Sequence, residues 1–104
     1  VIRVIITPQA RRELDRIWAY IDEDNPKRAI TFVRELAARC KSLKQMPLRH
    51  PLLPLHEETG IRSMPHGNYS IFYRYADDTV YILHILSAAQ DHEAILFPDD
   101  APGH

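Results

Sequence analysis

The chain has 104 residues, 45% of them hydrophobic and 26% charged, a globular balance that excludes an intrinsically disordered chain and suffices for one modest core. Its formal net charge of −1 argues against a general nucleic-acid binder, which needs a surplus of Lys and Arg to meet phosphates. A single cysteine, Cys40, excludes an internal disulfide and a cysteine-based zinc site and fits a reducing compartment.

Residues 2–6 are a β-branched run of strand length, and Thr7-Pro8 then supplies a capping hydroxyl followed by a proline suited to a first helical turn. From residue 8 to about 24, Ala10, Leu14, Ile17, Trp18 and Ile21 fall on one face at three- and four-residue spacing, which predicts an amphipathic helix with Trp18 turned to the core. Asn25-Pro26 repeats the start signal. The second helix, 26 to about 46, carries Ala29, Val33, Leu36, Cys40 and Leu43 on one stripe, widened by Ile30 and Ala37. So short a connection makes the two helices an antiparallel hairpin.

Pro47, Pro51 and Pro54 punctuate an irregular stretch through Glu58 that reads as a loop. Three short strands follow at 61–64, 69–75 and 80–86, separated by Pro65-His66-Gly67-Asn68 and Ala76-Asp77-Asp78-Thr79, which is turn chemistry, so they predict an antiparallel meander. In the last strand both alternating sets, Val80/Ile82/Leu86 and Tyr81/Leu83/Ile85, are apolar, as in a central strand covered on both faces. Residues 87–97 are read as a final strand or helical turn. The whole is an α+β two-layer sandwich of order β-α-α-β-β-β, a single domain over 1–97 with a disordered tail at 98–104.

The longest apolar run, 80–86 with His84 inside it, is far short of the roughly 20 residues of a membrane helix, and no charged-then-apolar leader opens the chain; a cytoplasmic protein is expected. All 13 basic residues lie at or before Arg74, whereas Asp77, Asp78, Asp91, Glu93, Asp99 and Asp100 follow it with no base among them. The C-terminal third should therefore repel a phosphate backbone, and no direct nucleic-acid binding is expected of the chain alone.

The string Arg62-Ser63-Met64-Pro65-His66-Gly67-Asn68-Tyr69-Ser70-Ile71-Phe72-Tyr73-Arg74, in that element order, resembles the ParE/RelE toxins, in which an arginine, a glycine-containing turn and Tyr-x-Ile-x-Tyr open the second and third strands. The stretch from Thr7 to Ile21, with its acidic-Leu-x-x-Ile core followed by an aromatic and Tyr-Ile, is similar to that family's first helix. The resemblance spans about residues 3–95 and favours the ParE branch. It implies a toxin of a type II toxin–antitoxin pair, a cognate ParD-like antitoxin with a ribbon-helix-helix domain, and DNA gyrase as target. No cofactor or metal is implied. The RelE branch implies instead a ribosome-dependent mRNA endonuclease, and a third reading is a non-toxic module that retains antitoxin binding only.

A metal-independent ribonuclease needs a base, an acid and a cation on the phosphorane. Its candidates are Arg62, His84 and His92, but Gln90 stands where the family often carries an arginine, and a neutral amide supplies no charge. His84, inside an apolar strand, reads first as a hydrogen-bonded core residue. Tyr69, Tyr73 and Tyr75 share a strand face and read as packing, and His50 and His56 lack the neighbours of a metal site. For a gyrase-directed toxin the candidate target-binding residues are Asp91, Glu93, Ile95, Leu96 and Phe97, because the ParE resemblance implies toxicity determinants toward the C-terminus.

Overall fold

The computed structural model describes residues 1–100. Strand β1 (Arg3–Ile6) leads into helix α1 (Pro8–Asp22), and helix α2 (Pro26–Ser42) follows. After an irregular stretch come β2 (Ile61–His66), β3 (Tyr69–Ala76), β4 (Thr79–Ser87) and a short helix α3 (His92–Leu96). One four-stranded sheet results, in the order β1-β4-β3-β2, with β1 parallel to β4 and the other pairs antiparallel. The expected α+β order is present. Of the tail expected at 98–104, Pro98–Asp100 form a 3-10 turn, and 101–104 lie outside the described residues. No helix among the described residues is long and apolar enough to cross a membrane.

Both helices start where their caps dictate. Thr7 Oγ1 accepts the Ala10 amide at 3.3 Å and donates to the Ile82 carbonyl at 2.6 Å, so the cap also fastens α1 to the central strand. Asn25 Oδ1 accepts the Arg28 amide at the start of α2. The buried stripes differ from the expected ones in the same way on both helices. Trp18 is 42% and Ile30 46% exposed, while Glu13 and Phe32 are buried. The stripes are centred on Ala10–Leu14–Ile17 and Ala29–Leu36–Cys40; residues eight after Ala10 and one after Ala29 point about 80–100° off those centres, and the sheet lies toward the opposite flank.

Asp77 and Asp78 both take left-handed φ, 52° and 54°, the conformation a tight two-residue hairpin needs and that Asp tolerates. Between β3 and β4 the register slips: Phe72 faces His84, Tyr73 faces Ile82, and Leu83 is left over as a bulge. That slip overturns the strict alternation expected for 80–86. Val80, Ile82 and Ile85 enter the core under the helices, while Leu83 and Leu86 go to the opposite face. The larger core lies between the hairpin and the sheet, with Ala10, Leu14, Leu36, Cys40, Met64, Ile71 and Tyr73 among its members. A smaller one, Ile61, Phe72 and Leu86, lies on the second face beneath Leu53, Leu83, Ile95, Leu96 and Phe97.

The stretch expected as a plain loop closes the sheet's edge. The Leu53 amide donates to the Ile61 carbonyl and the Ser63 amide to the Pro51 carbonyl. By the two-residue period, Pro65 has its missing donor on that same outer side, so β3 loses nothing by it and β2 runs past the expected Met64 to His66.

Candidate functional site

One carboxylate is buried against the central strand. Glu13, 6% exposed, accepts the Ile85 amide on Oε1 at 2.7 Å, and its Oε2 faces His84 Nδ1 at 2.8 Å and Gln9 Nε2 at 3.0 Å. The pairing of β1 with β4 ends at Ile82, and past that end Glu13 supplies the acceptor that the Ile85 amide requires inside the core. Facing a carboxylate, the His84 Nδ1 carries the proton and donates it. Glu13 thus latches α1 onto β4 just after the bulge at Leu83.

Beside the latch a cleft of about 320 Å³ opens, walled by Arg16, Ile17, Tyr20, Tyr69, Ile85 and Gln90 among others. Burial, and then the neighbouring Tyr20, push the Tyr69 hydroxyl above the usual phenol range. Two aromatic rings and two aliphatic side chains over a carboxylate and a guanidinium suit an amphipathic peptide segment better than a small charged substrate. Gln90 marks the end of β4 by accepting the Ser87 amide on Oε1 at 2.8 Å.

The candidate nuclease groups are not gathered at one point. Arg62 Nη1 donates to the His50 carbonyl at 2.7 Å and to that of Leu48 at 3.4 Å. His84 is held by Glu13. His92 Nε2 donates to the Ser87 carbonyl at 2.8 Å, and its ring stands edge-on to Phe72, centroids 5.1 Å apart. By strand alternation Arg62 shares the helix-side face with Met64, whereas Phe72, and with it His92, is on the other.

The C-terminal candidates, by contrast, form one unit on the second face. Asp91 caps α3 by accepting the Ala94 amide. Glu93 receives His56 Nε2 at 2.9 and 3.0 Å on its two oxygens, and the His56 ring stacks on Phe97 with centroids 4.0 Å apart. Ile95, Leu96 and Phe97 pack, partly buried, over Ile61, Phe72 and Leu86. The sequence reading missed Glu13 and the partnership of His56. For Glu13 the signal was present, an acid three residues after Ala10 and four before Ile17 on the apolar side of α1. For His56 there was none, because its partner lies 37 residues away. Among the described residues no cluster of His, Cys, Asp or Glu is placed to hold a metal.

A helix hairpin on one face of a β1-β4-β3-β2 sheet, with a C-terminal unit on the other, defines a RelE/ParE-like α+β protein. The chain belongs to the family of ParE toxins of type II toxin–antitoxin systems, parDE, whose model matches residues 4–92. Among solved structures it is similar to the chromosomal ParDE TA system from P. aeruginosa, with a TM-score of 0.71, 22% identity, and coverage of 83% of this chain and 95% of that one. It is also similar to the RelBE2 toxin–antitoxin complex from Mycobacterium tuberculosis, with a TM-score of 0.62, 27% identity, and coverage of 83% and 96%. No curated protein matches it. The family match stops at His92, so Glu93 to Phe97, most of the C-terminal unit, lie beyond the matched stretch.

Proposed function

We propose that this toxin acts in the cytoplasm by binding and poisoning DNA gyrase, with no bond-making chemistry of its own, and that a cognate ParD-like antitoxin of ribbon-helix-helix type holds it harmless. The observation that carries this reading is the ParE family match over residues 4–92. The geometry supports it, since Arg62, His84 and His92 are each committed to internal hydrogen bonds, while Asp91, Glu93, Ile95, Leu96 and Phe97 stand together as one acidic and apolar surface suited to a protein. An antitoxin segment is proposed to seat its apolar side chains in the cleft beside Glu13, over Ile17, Tyr20 and Tyr69.

Induction in cells tests the proposal. Gyrase-dependent DNA breaks and altered plasmid supercoiling should precede any fall in translation, and truncation after Ala94 should abolish arrest in a protein that still folds and binds antitoxin. The likeness to the RelBE2 complex favours a second reading, a ribosome-dependent mRNA endonuclease. Cleavage of ribosome-bound mRNA that is lost in Arg62→Ala would establish that reading and overturn the first. Antitoxin binding with no arrest of any kind would leave only a non-toxic module.

A further inference from the structure

Where α2 ends, a second pocket of about 240 Å³ is lined by Arg39, Ser42, Gln45, Met46, Arg49 and His50, together with Leu43. That lining contains two guanidiniums and an imidazole but no carboxylate. Among the described residues neither Arg39 nor Arg49 has an acidic partner; the ion pairs present are Arg28–Glu35, His66–Glu35, His56–Glu93 and His84–Glu13. Arg39 Nη2 donates to the Pro65 carbonyl at 3.0 Å, but its Nε is buried without an acceptor, an unfavourable state for a charged donor. A third guanidinium adjoins, that of Arg62, which donates to the His50 carbonyl at 2.7 Å.

The His50 imidazole records this surplus. Burial, and then the charges of Arg39 and Arg49, depress its affinity for a proton; the Tyr73 ring stands edge-on to it, centroids 6.4 Å away. The end of α2 contributes partial negative charge. However, the Cys40, Lys41 and Ser42 carbonyls already accept the amides of Leu43, Lys44 and Gln45.

We propose that this pocket binds phosphate, held between Arg39 of α2 and Arg49 and His50 of the loop that follows. Two unpaired guanidiniums match a dianion, and a bound dianion would restore the proton affinity that His50 has lost. The lining takes its donors from a helix and from the loop after it, and a tetrahedral anion offers oxygens to both. The phosphate comes either from a small phosphorylated molecule or from a nucleic-acid strand. The site is separate from the acidic C-terminal unit and does not depend on the gyrase reading.

The test uses the full chain and follows the His50 ring by NMR through a pH titration, in inorganic phosphate and in chloride at matched ionic strength. Phosphate should raise the His50 midpoint saturably. Arg49→Gln, at an exposed position, should weaken phosphate by about tenfold or more with unchanged circular dichroism, and Arg39→Lys, which keeps the charge but loses the planar fork, should weaken it as well. A short single-stranded oligonucleotide assigns the source. A shift with phosphate at concentrations where the oligonucleotide is silent points to a small molecule, and the reverse points to a nucleic-acid backbone. The site is refuted by an unmoved His50 in both, or by a phosphate response that Arg49→Gln leaves intact.

Discussion

The two faces of the sheet are held by different means. On the helix side, α1 and α2 lay a continuous apolar stripe over Met64, Ile71, Tyr73, Val80 and Ile82, with the buried Glu13 latch and the His66–Glu35 pair as its ionic links to the sheet. On the other face the buried apolar cluster is small, Ile61, Phe72 and Leu86 among the described residues, and its roof is assembled from separate pieces clipped by Glu93–His56 and His92–Ser87. Burial of contiguous apolar area gives cooperative stability, whereas a roof of partly buried side chains opens locally at lower cost. The difference teaches that most of the cooperative core lies on one face, and that the roof of the other is the first part to open.

The largest contrast should appear in thiol chemistry. Cys40 is fully buried in the helix-side core, and burial pushes its thiol up to about 12. From an ordinary value of 9.0 that reduces the reactive thiolate roughly a thousandfold even before access is considered. Cys40 should therefore be alkylated only as the protein unfolds, whereas a thiol introduced by Leu96→Cys should react in the folded state. Comparable rates at the two positions would mean that the faces are equally sealed.

Truncations of equal chemistry sharpen the same comparison. Leu36→Ala, at a fully buried position, should cost about 2–5 kcal/mol in urea unfolding. Leu96→Ala, at a partly buried one, should cost about 1 kcal/mol while sharply reducing growth arrest. Equal losses of stability would assign Leu96 to the core rather than to a target surface. Between these lies Glu13→Ala, which strips the Ile85 amide and His84 of their acceptor and should cost about 1.5–3 kcal/mol. Hydrogen exchange should then show the Ile85 amide losing protection first. If Ile85 remains as protected as in the wild type, the latch is not what shields that amide.

The same division explains what the sequence made legible. Local signals wrote the helix side: caps at Thr7 and Asn25, a 3.6-residue stripe through Leu14 and Leu36, and the Asp77-Asp78 turn each announced themselves within a few residues. The flank on which the α2 stripe lies was not legible, because Ile30 and Phe32 are both apolar and only the placement of the sheet decides which is covered. Nor was the bulge at Leu83, since Tyr81, Leu83 and Ile85 alternate as an undisturbed strand would. The second face was hidden because its contacts join His56 to Glu93 and Leu53 to Ile61 across tertiary distance, and no periodicity encodes them.

The smallest effect concerns the rim of the sealed face, where His50 lies among Arg39, Arg49 and Arg62. Its folded affinity for protons lies below the ordinary value of 6.5, through burial first and the two lining arginines second. Below that ordinary value the unfolded chain takes up a proton at His50 that the folded chain resists, so stability rises with pH across this window and falls as acid is added. The stabilising contribution is complete above pH 6.5 and is lost as the pH drops through the folded value. The wild-type curve sums over every titrating group of the protein and is uninformative alone. The difference between wild type and His50→Gln isolates the His50 contribution. Urea midpoints measured in chloride from about pH 8 to about pH 5.5 should fall less steeply for His50→Gln than for wild type. A slope unchanged by the substitution, or made steeper by it, would mean that burial and the charges of Arg39 and Arg49 do not act on His50 in solution.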